Sequence, residues 1–130
     1  MKILGIGVDI ENLERFRGLT IKKDGRFLNK IYAQNELKYC FSKKNPAPHL
    51  AARFAAKEAV IKAISGSYNK IFSVKDVTIT NLANGAPVVK ISKAFDSSAR
   101  ILISFSHCQD KAVAFAVIQK KATDKKFRKS

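Results

Sequence analysis

Two cysteines, Cys40 and Cys108, are all that the 130 residues hold, and they stand far apart with no metal-site spacing. They read as idle or buried thiols of a reducing cytoplasm rather than as a disulfide. Prolines number three and glycines six. No repeat or low-complexity linker appears, so one domain is expected, at a length that supports a real core. No apolar run approaches the roughly 20 residues that a membrane helix needs. Asp9, Glu11 and Glu14 interrupt any apolar segment after Lys2, so no signal peptide is expected.

Acidic residues are scarce: ten against 25 lysines and arginines, a formal net charge of +15. Such an excess suits nucleic acid, an anionic membrane surface, or an acidic protein and substrate. Part of it lies in Lys120, Lys121, Lys125, Lys126, Arg128 and Lys129, a basic tail over 120–130 expected to be a solvated end after a domain spanning 1–119. A second basic group, Arg15, Arg17, Lys22, Lys23 and Arg26, is interleaved with Phe16, Leu19 and Phe27. RNA-binding faces use the same residue types, although no RRM, KH or zinc-knuckle pattern is present.

The pattern of elements is α+β. A strand over 2–9 leads into a helical stretch to about Ser42, broken near Thr20–Gly25. Asn45-Pro46-Ala47-Pro48 reads as a loop before a long helix over 49–65. Strands follow at 74–82 and 88–92, joined through Asn84-Gly85, a strong hairpin signal. Two more are expected at 100–106 and 112–119, with a polar turn between them. In the last, Val113, Phe115 and Val117 alternate with alanines, as in a strand buried on both faces or set at an interface.

Chemistry concentrates in two places. In the long helix, Ala52, Ala55, Ala56, Ala59 and Ala63 gather on one side, while Arg53, Lys57, Glu58 and Lys62 spread over the other. A mostly buried helix carrying four charges is costly unless they are paired; the plainer alternative is a surface edge with an ordinary Glu58–Lys62 pair. At the N-terminus, Ile3-Leu4-Gly5-Ile6-Gly7-Val8-Asp9-Ile10 reads as a buried strand delivering a carboxylate at its exit. Its glycines let another backbone or a ligand pass close; alternatively, Asp9 or Asn12 caps a helix. Asp9 and Glu58, on separate rigid elements, suit a hard cation such as Mg²⁺, which takes one or two carboxylates and completes its shell with water and phosphate oxygens.

Gly5-Ile6-Gly7-Val8-Asp9-Ile10 followed by Arg15, and Arg53-Phe54-Ala55-Ala56-Lys57-Glu58-Ala59 with Lys62, resemble the holo-[acyl-carrier-protein] synthases, the small 4′-phosphopantetheinyl transferases. Arg26-Phe27, Glu36-Leu37, Asn84-Gly85-Ala86-Pro87 and Ile103-Ser104-Phe105-Ser106-His107 extend the likeness over nearly the whole chain, in order and spacing. Ser65-Gly66-Ser67-Tyr68 departs from the usual Gly-Thr-Gly pattern, and Ala86 stands where lysine is common. The resemblance implies the phosphopantetheinyl transferase fold, a mostly antiparallel sheet of about five strands packed with a long central helix. It implies a cytoplasmic enzyme of fatty acid biosynthesis that moves 4′-phosphopantetheine from coenzyme A to a serine of an acidic acyl carrier protein, releasing adenosine 3′,5′-bisphosphate.

By the same resemblance, Asp9 and Glu58 hold Mg²⁺, and Lys62 neutralises the diphosphate and can protonate the leaving oxygen. Glu58, or a water on the metal, is the general base. Arg53, Ser106 and His107 hold the nucleotide phosphate of coenzyme A, and Arg15, Arg26 and Phe27 dock the carrier protein. The family assembles as a homotrimer with sites shared between protomers. A serine-hydrolase reading of Ser106 and His107 fails because neighbours on a strand point to opposite faces. Two other readings compete: a non-catalytic basic RNA-binding module, which leaves Asp9 and Glu58 without purpose, and a structural trimer that has lost activity.

Overall fold

The computed structural model describes residues 2–121. The elements run β1 (Ile3–Asn12), a 3₁₀ turn (Leu13–Phe16), α1 (Ile21–Ile31), α2 (Gln34–Phe41) and α3 (Pro46–Ser65), then a second 3₁₀ turn (Val74–Asp76), β2 (Val77–Asn81), β3 (Pro87–Ile91), β4 (Ala99–His107) and β5 (Lys111–Lys120). All pairing is antiparallel. The five strands divide into a three-stranded sheet, β1-β5-β4, and a separate β2-β3 hairpin, where sequence suggested one sheet. The basic tail over 120–130 lies outside the described residues, except for Lys120, which ends β5, and Lys121.

Small residues set how closely α3 approaches the sheet. Along β5, Ala112, Ala114 and Ala116 are buried, while Val113 and Phe115 face outward. In β1, Gly7 pairs with Ala116, Asp9 with Ala114 and Glu11 with Ala112, so Gly5, Gly7, Asp9 and Glu11 share the inward face. Ala52, Ala55, Ala56, Ala59 and Ala63 of α3 are all buried. A Cβ on Gly5 would overlap the Ala63 carbonyl oxygen, and one on Gly7 that of Ala59. Glycine is what lets helix and strand touch backbone to backbone here.

The plainer surface-edge reading of α3 is overturned. Arg53 and Lys57 are buried, Glu58 is half-buried and only Lys62 is exposed. Lys62 reaches Asp9, at 3.1 Å, rather than Glu58. Lys57, 0 % exposed, ties three elements together. Its Nζ donates to Glu36 Oε1 of α2 (2.7 Å) and to the carbonyls of Val74 and Val77. Glu36, equally buried, accepts from the backbone N–H groups of Ala33 and Ile79, each at 2.8 Å. A buried pair with every polar atom engaged is tolerable; either partner alone is not.

Several boundaries differ from those expected. α3 starts at Pro46, because prolines in a first helical turn forfeit only N–H groups that have no intrahelical partner. The first helical stretch breaks twice. It breaks before Ile21, where the Thr20 hydroxyl accepts from the Lys23 N–H, and again at Tyr32–Ala33, where extended backbone separates α1 from α2. Val74–Asp76 is a 3₁₀ turn rather than strand. The β2-β3 connection bends at Gly85, with φ at 90°, a conformation open to glycine. Among the described residues no helix is long and apolar enough to cross a membrane.

Candidate active site

Four side chains converge where the second half of β1, still paired with β5, runs beside α3. The pleat aims Asp9 and Glu11 inward, past the glycines, at the flank of α3 that carries Glu58 and Lys62. Lys62 Nζ donates to Asp9 Oδ1 (3.1 Å) and to the Val8 carbonyl (3.0 Å). Asp9 Oδ2 is buried and has no hydrogen-bond partner, a lone pair held ready in a place that water does not reach.

The carboxylates are short of positive charge. Burial raises the Glu58 pKa, and repulsion from Asp9 adds to this, while Lys62 and Arg15 pull it down. Burial and then the neighbouring Asp9 carboxylate push Glu11 up to about 7, against Arg15. Sequence reading treated Glu11 only as an interruption of an apolar run. The signal that identifies it is its place two residues after Asp9 on a strand, which puts both acids on one face.

Orphaned oxygen, hard donors and three carboxylates served by only two cations, Lys62 and Arg15, fit a divalent cation such as Mg²⁺. Among the described residues no group of three or more His, Cys, Asp or Glu forms a cage for a metal. An ion here would draw on two carboxylates and take the rest of its shell from water and substrate oxygens.

The other predicted ligands form a second cluster. A groove of about 440 Å³ runs between the first turns of α3, the edge strand β4 and the β2-β3 turn. Arg53, Ser106 and His107 all line it, with Tyr39, His49, Asn81 and Pro87. Because β4 is an edge strand, neighbouring residues 103–107 border the groove despite their alternating faces. No carboxylate lines it. Arg53 is 2 % exposed, its guanidinium stacks over Tyr39 at 4.1 Å and donates to Asn81 Oδ1 (2.5 Å), and its Nε has no partner. His49, not singled out from sequence, faces His107 with ring centroids 6.3 Å apart.

Arg53 and Glu58 are five residues apart on α3, about 140° around the helix, so the acidic cluster and the cationic groove occupy different flanks. Of the residues expected to dock a partner, Arg15 lies beside the acids, 2.7 Å from Glu11 and 5.2 Å from the Phe54 ring centre. Arg26 and Phe27 lie apart from it on α1, both exposed.

Residues 5–117 match the family model of the 4′-phosphopantetheinyl transferase superfamily. A holo-[acyl-carrier-protein] synthase of Protochlamydia amoebophila is 51% identical over 118 residues, 88% of this chain and 96% of that protein. One from Thermodesulfovibrio yellowstonii is 46% identical over 116 residues, 89% and 98% respectively. The crystal structure of a holo-(acyl-carrier-protein) synthase from Bacillus anthracis in complex with CoA (3′,5′-ADP) superposes with a TM-score of 0.73 at 30% identity, over 92% of this chain and 98% of that one. With glycines, acids and basic groove in the order its sequence motifs require, the chain belongs to the 4′-phosphopantetheinyl transferase superfamily, among the holo-[acyl-carrier-protein] synthases.

Proposed function

We propose that this protein transfers 4′-phosphopantetheine from coenzyme A to a serine hydroxyl of apo acyl carrier protein, as an Mg²⁺-dependent cytoplasmic enzyme serving fatty acid biosynthesis. The observation that carries the reading is the pairing of an under-neutralised carboxylate cluster with an acid-free cationic groove. Diphosphate chemistry needs the first and an anionic nucleotide the second.

Asp9 and Glu58 are the residues that would hold Mg²⁺, with Glu11 beside them. When bound, the ion offsets charge on phosphoryl oxygens. The chain's own groups position and move protons. Glu58 takes the proton of the carrier serine as its oxygen bonds to the phosphorus bearing pantetheine. The bond from that phosphorus to the bridging oxygen breaks. Lys62, steadied by Asp9 and the Val8 carbonyl, gives a proton to the departing oxygen of adenosine 3′,5′-bisphosphate. Arg53, Ser106 and His107 hold the nucleotide, with the guanidinium fork suited to phosphate.

Carrier protein, which is acidic, approaches through Arg15, Arg26 and Phe27, and complementary charge makes encounter fast and salt-sensitive. Two features support the reading of a homotrimer with shared sites. The outer face of the three-stranded sheet exposes Ile6, Val8, Ile10, Leu102, Val113 and Phe115, an apolar patch of the kind that marks association. A hollow on that patch, bounded by Ile6, Gly7, Val8 and Phe115, also includes Lys62. A second copy seated there lies against the acidic cluster and can supply the cationic groove that the same chain holds on another flank.

Intact-mass spectrometry of apo carrier protein mixed with this protein, coenzyme A and Mg²⁺ tests the reading. A gain of one phosphopantetheine that a chelator prevents is expected. Unmodified carrier at all times, with this protein folded, would contradict it.

A further inference from the structure

Cations gather at the end of the three-stranded sheet that the transfer chemistry does not use. β1 and β4 begin there and β5 ends there: Ile3 and Arg100 both pair with Gln119, and Ala99 pairs with Lys120. The Lys120 N–H donates to the Lys2 carbonyl, and the Lys121 N–H to that of Ser98. Register therefore brings Lys2, Arg100, Lys120 and Lys121, all exposed, to one rim. Lys70 joins them, its Nζ donating to the Ala94 carbonyl in the loop that enters β4. Asp9 stands six residues along β1 from Ile3, about 20 Å away.

This positive charge is not answered locally. Among the described residues of the three strand ends and the loop over 94–98, Asp96 is the one carboxylate. Its oxygens accept from the Tyr68 hydroxyl (2.8 Å) and from the Ser98 N–H (2.9 Å) and hydroxyl. None of Lys2, Arg100, Lys120 and Lys121 forms an ion pair with a described residue. Beyond Lys121 the sequence adds Lys125, Lys126, Arg128 and Lys129 against Asp124, with Phe127 among them. Like charges side by side repel one another, and an anionic partner relieves that repulsion.

The composition of the rim selects among anionic partners. Apart from Arg100 and Arg128 its cations are lysines, point charges on flexible stems that suit a diffuse field of phosphates rather than forked recognition. Single-stranded nucleic acid is held on exposed aromatic faces, whereas Tyr68, Phe72 and Phe95, the rings nearest this rim, pack into the core. Ile3, 53 % exposed, adds an apolar tip beside Lys2. We propose that this rim binds the anionic headgroups of a phospholipid bilayer, seating the protein on a membrane surface while the acids at the far end of β1 stay clear of it. The inference does not depend on the transfer reading. Each cation near such a surface contributes about fivefold in partitioning, and salt screens the attraction.

Co-sedimentation of the full chain with vesicles tests this, using phosphatidylcholine alone or with about a third phosphatidylglycerol, at about 50 mM and about 500 mM salt. Wild type should sediment with the anionic vesicles at low salt, leave them at high salt and ignore the neutral ones. Replacing Arg100, Lys120 and Lys121 together by Gln should lower partitioning by about 10²-fold and leave transfer to a soluble carrier within about twofold of wild type. Replacing Lys30, Lys38 and Lys44 by Gln removes the same charge from α1, α2 and the segment after α2, and should change partitioning by no more than about twofold. Equal losses in the two triple variants would mean that net charge alone binds, and the rim would lose its role. Equal sedimentation with both vesicle types, or none with either, overturns the proposal. So does capture of a single-stranded RNA oligonucleotide under conditions in which anionic vesicles are ignored, which would make the rim a nucleic-acid surface.

Discussion

Glu58 and Glu11 show how position sets the behaviour of chemically similar acids. Both are raised, yet Glu58 leans on the Asp9 charge from α3 while Glu11 shares a strand face with it. Glu58→Gln keeps the shape and removes the proton acceptor, so transfer should fall by about 10²–10⁴-fold with thermal stability unchanged. Steady-state transfer assays beside thermal melts check this, and near-normal transfer would remove Glu58 from the reaction. For Glu11, the sign follows from its folded pKa of about 7 against 4.5 unfolded. The folded state binds more protons in that window, so the stability Glu11 contributes is complete below about pH 4.5 and lost as pH rises through 7. With chelator present, the melting temperature should therefore decline over that range, and Glu11→Gln should flatten the decline.

At the scale of elements, β1 and α3 make the site, and their contact depends on missing side chains. Gly7→Ala drives a Cβ into the Ala59 backbone. Overpacking against main chain should destabilise by about 1–3 kcal/mol, whereas Gly25→Ala, which meets nothing within 4 Å, serves as the control. Denaturant unfolding distinguishes the two, and equal stabilities would mean that the helix does not press on the strand. Lys57→Met tests the tie to α2 and β2. Leaving Glu36 buried and unpaired should cost about 3–5 kcal/mol, part of which Glu36→Gln in the same chain should restore. A Lys57→Met protein as stable as wild type would show that the pair is dispensable.

Much of this was legible in sequence where the signal is local. The Gly-x-Gly strand that carries Asp9, the alanine stripe of α3 and the Asn84-Gly85 turn each announce their geometry through short spacings, although the strand runs on to Asn12 rather than ending at Asp9. What sequence did not reveal depends on partners distant in the chain. The helical charges could not be sorted until Lys57 met Glu36, 21 residues away, and Lys62 met Asp9, 53 residues away. Glu11 and His49 gain meaning only from what lies beside them, Asp9 and Arg15 in one case, His107 and Tyr39 in the other. The division of the five strands into three and two is likewise a matter of which strands pair, which no single strand's own pattern states.

For the whole molecule, the decisive arrangement is that one chain carries acids and groove on separate flanks of one helix, with an exposed apolar sheet face adjoining the acids. In the proposed homotrimer these would be two halves of a site, and the apolar face would bring a second copy to complete it. In such a closed ring of identical contacts, each acid cluster would meet the groove of a neighbour.

Transfer by mixed assemblies measures this most directly. Glu58→Gln removes the acidic half and His107→Asp places a negative charge in the groove; each alone should be inactive. Unfolded together and reassembled in equal amounts, they should regain about a quarter of the wild-type rate, because random assortment makes that share of contacts intact on both sides. A mixture as inactive as its components, from a wild type that transfers normally after the same treatment, would contradict a site built from two copies.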